Sequence, residues 1–378
     1  MKRIKISPRS EWQKKVEEVG LIYHTPEGKT YWDESVYYEF TSPEIDLIES
    51  ATNELQEMCL NAGQQIIDKN RFDELHIPRI VVPLIQRAWD EEPPAIYGRF
   101  DLAFDGTNLK LLEYNADTPT ALLEASVVQW FWLQELFPTE DQFNSIHEKL
   151  LAKWQELKSY LKGDVLYLTS VDDFEDIMTV TYMQDLAEQA GIKTLSLLID
   201  QIGWHPERKC FTDLDEHEIV SIFKLYPWEW LVHEKFGPDL IEVHDKMQWI
   251  EPIWKMLWSN KGILPILWEL YPNHPYLLEA YFGEPRQMKE YAKKPLLSRE
   301  GANIEVHTVN GTPLATGGDY GEEGYIFQAL APIPNIEGNY PVLGSWVIDG
   351  VSAGMGIRES VQLVTDNLSR FVPHLFRH

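Results

Sequence analysis

Cysteine is scarce: Cys59 and Cys210 are the only two in 378 residues. That excludes a disulfide-stapled scaffold and suits a reducing cytoplasm, the expected location. Long apolar runs are missing as well, and none approaches the ~20 residues that a membrane-spanning helix needs. The N-terminal MKRIKISPRSEWQKK has no apolar core followed by a cleavage site, so no leader is expected. Positive charge is short: 33 Lys and Arg stand against 60 Asp and Glu, a formal net charge of -27. Nucleic acid and anionic membranes are thereby excluded as main partners, since both demand basic patches. The eleven histidines contain no H-E-x-x-H and no pair with cysteine at zinc spacing, and there is no internal repeat. What remains is a chain with a large core, one big domain or two to three lobes at roughly 150 residues each. Nothing in the pattern specifies an oligomeric state.

The most informative stretch is GRFDLAFDGTNLKLLEYNADTPT, from Gly98 to Thr120. Arg99 to Phe104 and Leu109 to Asn115 both alternate polar with apolar residues, and Asp105-Gly106 supplies a turn between them, which predicts a β-hairpin. Alternation puts Arg99 and Asp101 on one face and Phe100 and Leu102 on the other. In the second strand Leu111, Glu113 and Asn115 share a side. A guanidinium, two carboxylates and an amide oxygen therefore converge. Magnesium takes oxygen ligands, commonly one or two carboxylates completed by phosphate oxygens and water, and an arginine beside it holds a phosphoryl group bidentately. The alternative is a surface hairpin in which Arg99 and Asp101 merely pair.

Elsewhere a helix is expected over Pro43 to Lys69, with Ser42 as its cap. A largely buried helix is expected after Thr118-Pro119-Thr120, and an amphipathic one over 141–161. Val165 to Thr169, a helix over 175–191 and Lys193 to Ile199 read as a strand, helix, strand unit. Tyr325 to Ala331, Val342 to Asp349 and Ser352 to Ile357 read as successive strands of one antiparallel sheet. Lys294 ends a strand and is followed by Ser298 and Gly301, a layout that holds phosphates; the plainer reading is a surface lysine. Lys261, in SNKGILP, allows the same two readings. The order is not that of a P-loop, which puts glycines before its lysine.

Four blocks in sequence, RFDLAFDGTNLKLLEYNADTPT, EPIWKMLWSNKGILPILWELYPNHPYLL, KPLLSREGANI and GSWVIDGVSAGMGIRES, give the chain a specific likeness. It resembles the synthetase domain of glutathionylspermidine synthase and its stand-alone relatives, acid–amine ligases without the amidase domain, a branch of the ATP-grasp superfamily. The resemblance covers nearly the whole chain. It implies an α+β or α/β protein with an ATP-grasp-like fold of permuted order, the nucleotide held between two antiparallel sheets, and an α/β substrate lobe. One synthetase unit over 1–378 is implied, with approximate lobes at 1–160, 161–250 and 251–378 and no amidase domain.

The resemblance further implies ATP and Mg as cofactors. Asp101, Glu113 and Asn115 would hold the metal. Nucleotide contacts would come from Arg99, Phe100, Asp101, Lys261, Lys294, Gly301, Gln328 and Leu363, with Arg99 and Arg358 acting on the phosphoryl in transit. The implied reaction activates a small carboxylic acid as an acyl phosphate, which an amine attacks to give an amide; peptide and polyamine are among the candidate partners. Thr118 and Thr120 would clamp the acid, whereas Glu124 reads as a surface residue. The family pattern has serines where this chain has Thr118 and Thr120, so glutathionylspermidine synthesis itself is the alternative rather than the first expectation. Two rivals are a carbohydrate hydrolase using paired carboxylates among tryptophan platforms such as Trp130, Trp132, Trp228 and Trp230, and a nucleotide-binding protein without catalysis.

Overall fold

The computed structural model describes residues 1–378 apart from Asn310, Thr312, Asn367, Leu368 and His378. The predicted hairpin forms as Tyr97–Phe104 and Leu109–Asn115, antiparallel, with Arg99 opposite Asn115 and Asp101 opposite Glu113. A register shift follows Asp101. The hairpin is the edge of a five-stranded antiparallel sheet, which continues through Tyr340–Ile348 and Val351–Ser360 to Arg370–Phe371. This hairpin sheet thus joins strands from both ends of the chain, across the expected division between 1–160 and 251–378.

One face of it is covered by the long helix Ser42–Asp68, whose buried Ile45, Ile48, Leu55, Cys59, Ala62 and Ile66 recur at helical spacing. Burying each large apolar side chain contributes roughly 1.5–3 kcal/mol, so this stripe fixes which face stays open. The cap of that helix is Thr41, not Ser42: the Thr41 backbone N–H donates to the Glu44 carboxylate at 2.9 Å, a reciprocal arrangement that places Ser42 already inside the first turn. Phe100 turns toward this covered face, fully buried and stacked on Tyr114 with ring centroids 3.8 Å apart. Arg99 and Asp101 face the other way.

A second five-stranded antiparallel sheet, the lysine sheet, runs in the order Ala280–Phe282, Tyr325–Ala329, Tyr291–Pro295, Glu305–His307 and Leu314–Ala315. Here the sequence reading needs correction. Tyr325 to Ala331 does not share a sheet with the strands at 340–348 and 351–360; it belongs beside Lys294, because the turn-rich link 330–339 carries the chain from one sheet to the other.

The strand, helix, strand unit is present as Leu166–Ser170, Phe174–Gln189 and Thr194–Leu198. It extends into a four-stranded parallel sheet ordered Gln248–Ile250, Ser221–Leu225, Leu166–Ser170, Thr194–Leu198. The fold is therefore mixed α/β with several sheets. Among the described residues no helix is long and apolar enough to cross a membrane.

Candidate active site

Two buried lysines and two carboxylates meet where the lysine sheet abuts the hairpin edge. Lys294 and Gln328, on adjacent strands of the lysine sheet, bond to each other at 2.8 Å and reach across to the edge strand. Lys294 Nζ donates to the Leu112 carbonyl at 3.0 Å and Gln328 Nε2 to the Leu111 carbonyl at 3.0 Å. Lys261 comes from the loop ahead of Ile263–Leu270; its ammonium lies 3.0 Å from Glu113 and donates to the Ser298 carbonyl at 2.6 Å. Both lysines are about 6% exposed, so neither is the surface residue of the plainer reading.

Burial pushes the Lys294 ammonium down to about 8, against the pull of Glu113. Burial opposes charge on Glu113 as well, but Lys261 and Lys294 overcome it and hold the carboxylate down at about 2. Asn115 Nδ2 donates to Glu113 at 3.2 Å. Directly across the hairpin, Asp101 takes a two-pronged contact from Arg99, Nε to Oδ1 at 2.7 Å and Nη2 to Oδ2 at 3.1 Å. Arg99 also donates to the Thr120 carbonyl at 2.7 Å, and its guanidinium carbon lies 5.8 Å from the Trp346 ring centre. Close approach explains Gly344: a Cβ there would lie 2.8 Å from Arg99 Cδ.

One cavity between the sheets is lined by Asp101, Glu113, Lys294, Gly301, Gln328 and Leu363 together, with a volume of about 80 Å³. A small adjoining hollow brings in Arg99 and Arg358. Arg358 donates to the Asp366 carbonyl, while its Nε is buried with no partner. Gly301 is held at φ +69, and a side chain there would strike the Thr365 carbonyl at 2.4 Å. Of the expected residues, Phe100 is a correction: strand alternation turns its side chain into the core, away from this cavity.

Thr118 and Thr120 lie just ahead of the helix that begins at Leu122, with Ala121 between at φ +61. Thr118 Oγ1 accepts from Arg299 at 2.5 Å, and Arg299 also pairs with Glu229 at 2.9 Å. Glu124 is not a surface residue. A π-helical turn, Glu124–Val128, rotates it inward to 1% exposure, where it accepts from the Tyr31 hydroxyl at 2.7 Å. Burial, and next the charge of Glu175, lift its carboxyl to about 7; Asp176, also penalised by burial and by Glu175, stands at about 7. Arg358 and Arg299 face these groups. Of the tryptophans, Trp132 and Trp228 are buried in the core and offer no platform, whereas Trp130 and Trp230 are exposed.

Several buried groups that set the frame escape a sequence reading. Lys255 donates to the carbonyls of Tyr97 and Ala116, at 2.8 and 3.1 Å, and so pins both ends of the hairpin. Asp117 and Lys224, both fully buried, bond at 2.6 Å, and Asp117 also receives the Trp228 N–H. Asp117 stands in the quoted EYNAD run, the one available signal.

Among the described residues no group of three or more His, Cys, Asp and Glu is placed to hold a metal. Two carboxylates and an amide are the protein share that magnesium asks for when phosphate supplies the rest, and Asp101, Glu113 and Asn115 fit that share.

A mixed α/β fold whose cations and carboxylates meet between two antiparallel sheets is the class that these observations define. The chain belongs to the glutathionylspermidine synthase family: the family model "Glutathionylspermidine synthase preATP-grasp" matches residues 3–377. It is 43% identical over 393 aligned residues to a Haemophilus influenzae protein named "Putative acid–amine ligase", with all of both chains covered. It is 28% identical to the bifunctional glutathionylspermidine synthetase/amidase of Escherichia coli, over 89% of this chain but 58% of that one. To the trypanothione synthetase of Crithidia fasciculata it is 28% identical, over 82% of this chain and 52% of the other. The chain thus spans little more than half the length of these two relatives. In fold it is similar to a glutathione synthetase-like effector from Globodera pallida, with a TM-score of 0.58 at 10% identity over 97% of this chain and 96% of that one.

Proposed function

We propose that the chain is an ATP- and Mg-dependent acid–amine ligase that forms an amide through an acyl phosphate, on an ATP-grasp-like fold of permuted order. The carrying observation is the wedge of Lys261 and Lys294 against Glu113, facing Asp101 and Arg99. Cations this deeply buried are costly to keep charged, and a phosphate chain with its metal is the ligand that repays both signs. In this reading Asp101, Glu113 and Asn115 hold Mg, Lys261 and Lys294 hold phosphates, and Gln328 and Leu363 border the adenine. The metal supplies charge neutralisation on the phosphates. Arg99 stabilises the phosphoryl as the acid's oxygen bonds to phosphorus and the bond to ADP breaks. The amine nitrogen then bonds to the acyl carbon and phosphate leaves. The departing phosphate takes the proton shed by the amine.

The cavity of about 80 Å³ is smaller than the ~300 Å³ at which ligand pockets begin, so entry of a nucleotide parts the two sheets at the Lys294 and Gln328 crossings. The relatives' names supply candidate substrates, glutathione and spermidine among them. The test supplies ATP, Mg and pools of small acids and amines, and follows ADP release together with hydroxylamine trapping of an acyl phosphate. No nucleotide binding and no turnover above an Asp101→Asn control would sink the reading.

A further inference from the structure

The parallel sheet carries a second cavity, of about 380 Å³, outside the site described above. Helix Phe174–Gln189 packs on the sheet face bearing Leu166, Leu168, Phe223 and Leu225. The cavity lies on the other face, walled by Val171, Ile202, Phe211, Ile222, Leu240 and Met247. From Leu166–Ser170 the chain moves to Thr194–Leu198 on one side and later to Ser221–Leu225 on the other, so the strand order reverses between Leu166–Ser170 and Ser221–Leu225. The cavity opens by the carboxyl ends of those two strands, at Thr169, Val171, Lys224 and Tyr226, which is where open parallel sheets take ligands.

Two polar groups of its lining have no hydrogen-bond partner in the protein: the Thr169 hydroxyl, fully buried, and the Trp249 indole N–H, 7% exposed. Both can donate. Buried donors left unmet are expensive, and an acceptor oxygen on a bound molecule would meet them. Lys224, also in the lining, is already neutralised by Asp117 and bonds the Tyr226 carbonyl. The exposed Asp200, Glu234 and Lys235 at the rim are of mixed sign. Inside the cavity, past that rim, a charged guest finds no free counter-charge. The cavity shares no lining residue with the inter-sheet cavity.

We propose that this cavity is a separate binding site for an uncharged, largely apolar small molecule bearing one acceptor oxygen, held by Thr169 and Trp249. Its guest touches the stem of Lys224, whose ammonium is held by Asp117.

Acetophenone serves as the probe and ethylbenzene, which lacks the oxygen, as its partner. The readout is the indole N–H resonance of Trp249, assigned with Trp249→Phe and independent of any turnover. Acetophenone is expected to shift it saturably and to bind about fivefold tighter than ethylbenzene. Thr169→Val should shrink that preference, Val171→Phe and Ile222→Phe should each weaken acetophenone by about tenfold while keeping the wild-type circular dichroism, and ADP with Mg should leave it bound. The proposal is overturned by the absence of a saturable shift in the wild-type protein, by an unchanged affinity in whichever filled variant folds, or by displacement with ADP and Mg. Failure of the ligase reading would leave all these outcomes unaffected.

Discussion

Replacing Lys294 by methionine separates what this residue does for folding from what it does for the ligand. Its ammonium falls from 10.5 to about 8 on burial, which corresponds to about 3 kcal/mol of cost at pH 7 for keeping the charge inside. Methionine fills a similar volume and removes that cost. It also removes the bonds to Gln328 and the Leu112 carbonyl, worth about 1 kcal/mol each. The unliganded Lys294→Met protein should therefore be as stable as wild type, or more stable by about 1 kcal/mol. The sign with pH follows from the depressed value: the lysine's contribution is favourable above 10.5 and is lost as pH falls through 8. Wild-type stability should thus gain on raising pH between 8 and 10.5 through this group, and the variant should lack that gain. Nucleotide binding goes the opposite way. A charge-assisted hydrogen bond contributes about 1.5–3 kcal/mol, so Mg-ADP should bind roughly 10- to 100-fold more weakly. Urea unfolding at several pH values and calorimetric titration with Mg-ADP measure the two effects. A variant that is several kcal/mol less stable yet binds Mg-ADP like wild type would refute the reasoning.

Asp101→Asn replaces one oxygen of the proposed metal ligand and removes half of the Arg99 clamp; ADP release should drop by at least about 100-fold, followed in a coupled assay, with circular dichroism unchanged. Gly344→Ala drives a methyl against Arg99 Cδ and should cost about 1–3 kcal/mol of stability together with most of the turnover, whereas Gly338→Ala, with open space around it and only the backbone strain of φ +85, should lose stability and keep its turnover. Glu124→Gln removes a carboxyl raised from 4.5 to about 7, whose contribution is fully present below pH 4.5 and lost as pH rises through 7. The variant should exceed wild type by about 3 kcal/mol in urea unfolding at pH 8 and not at pH 4.5.

The hairpin was legible because strand alternation and an Asp-Gly turn are local signals; the turn fixes the register as far as Leu102, and the shift that sets Asp101 opposite Glu113 was not legible. The same alternation already placed Phe100 on the far face. What stayed hidden is long range. Lys261 and Lys294 look like any solvated lysine until the strand carrying Glu113 is laid beside them. The strand at 325–329 left the sheet expected for it because pairing is decided by partners, not by its own pattern. Glu124 was misjudged because a π-helical turn shifts the phase of a helix in a way that periodicity does not encode. Asp117 and Lys224, 107 positions apart, become a pair only in the fold.

The strand Leu109–Asn115 ends its sheet without a neighbouring strand in register. Side chains of the lysine sheet cover it, with the Leu111 N–H to Tyr276 carbonyl bond at 2.8 Å from the segment ahead of that sheet, in place of a continuous ladder. An uncovered edge of this kind, carrying Leu109, Leu111 and Tyr114, is a template for pairing with other chains. Detachment of the lysine sheet by heat or proteolysis would expose that edge while the sheet behind it stays folded. Aggregation should then set in before global unfolding.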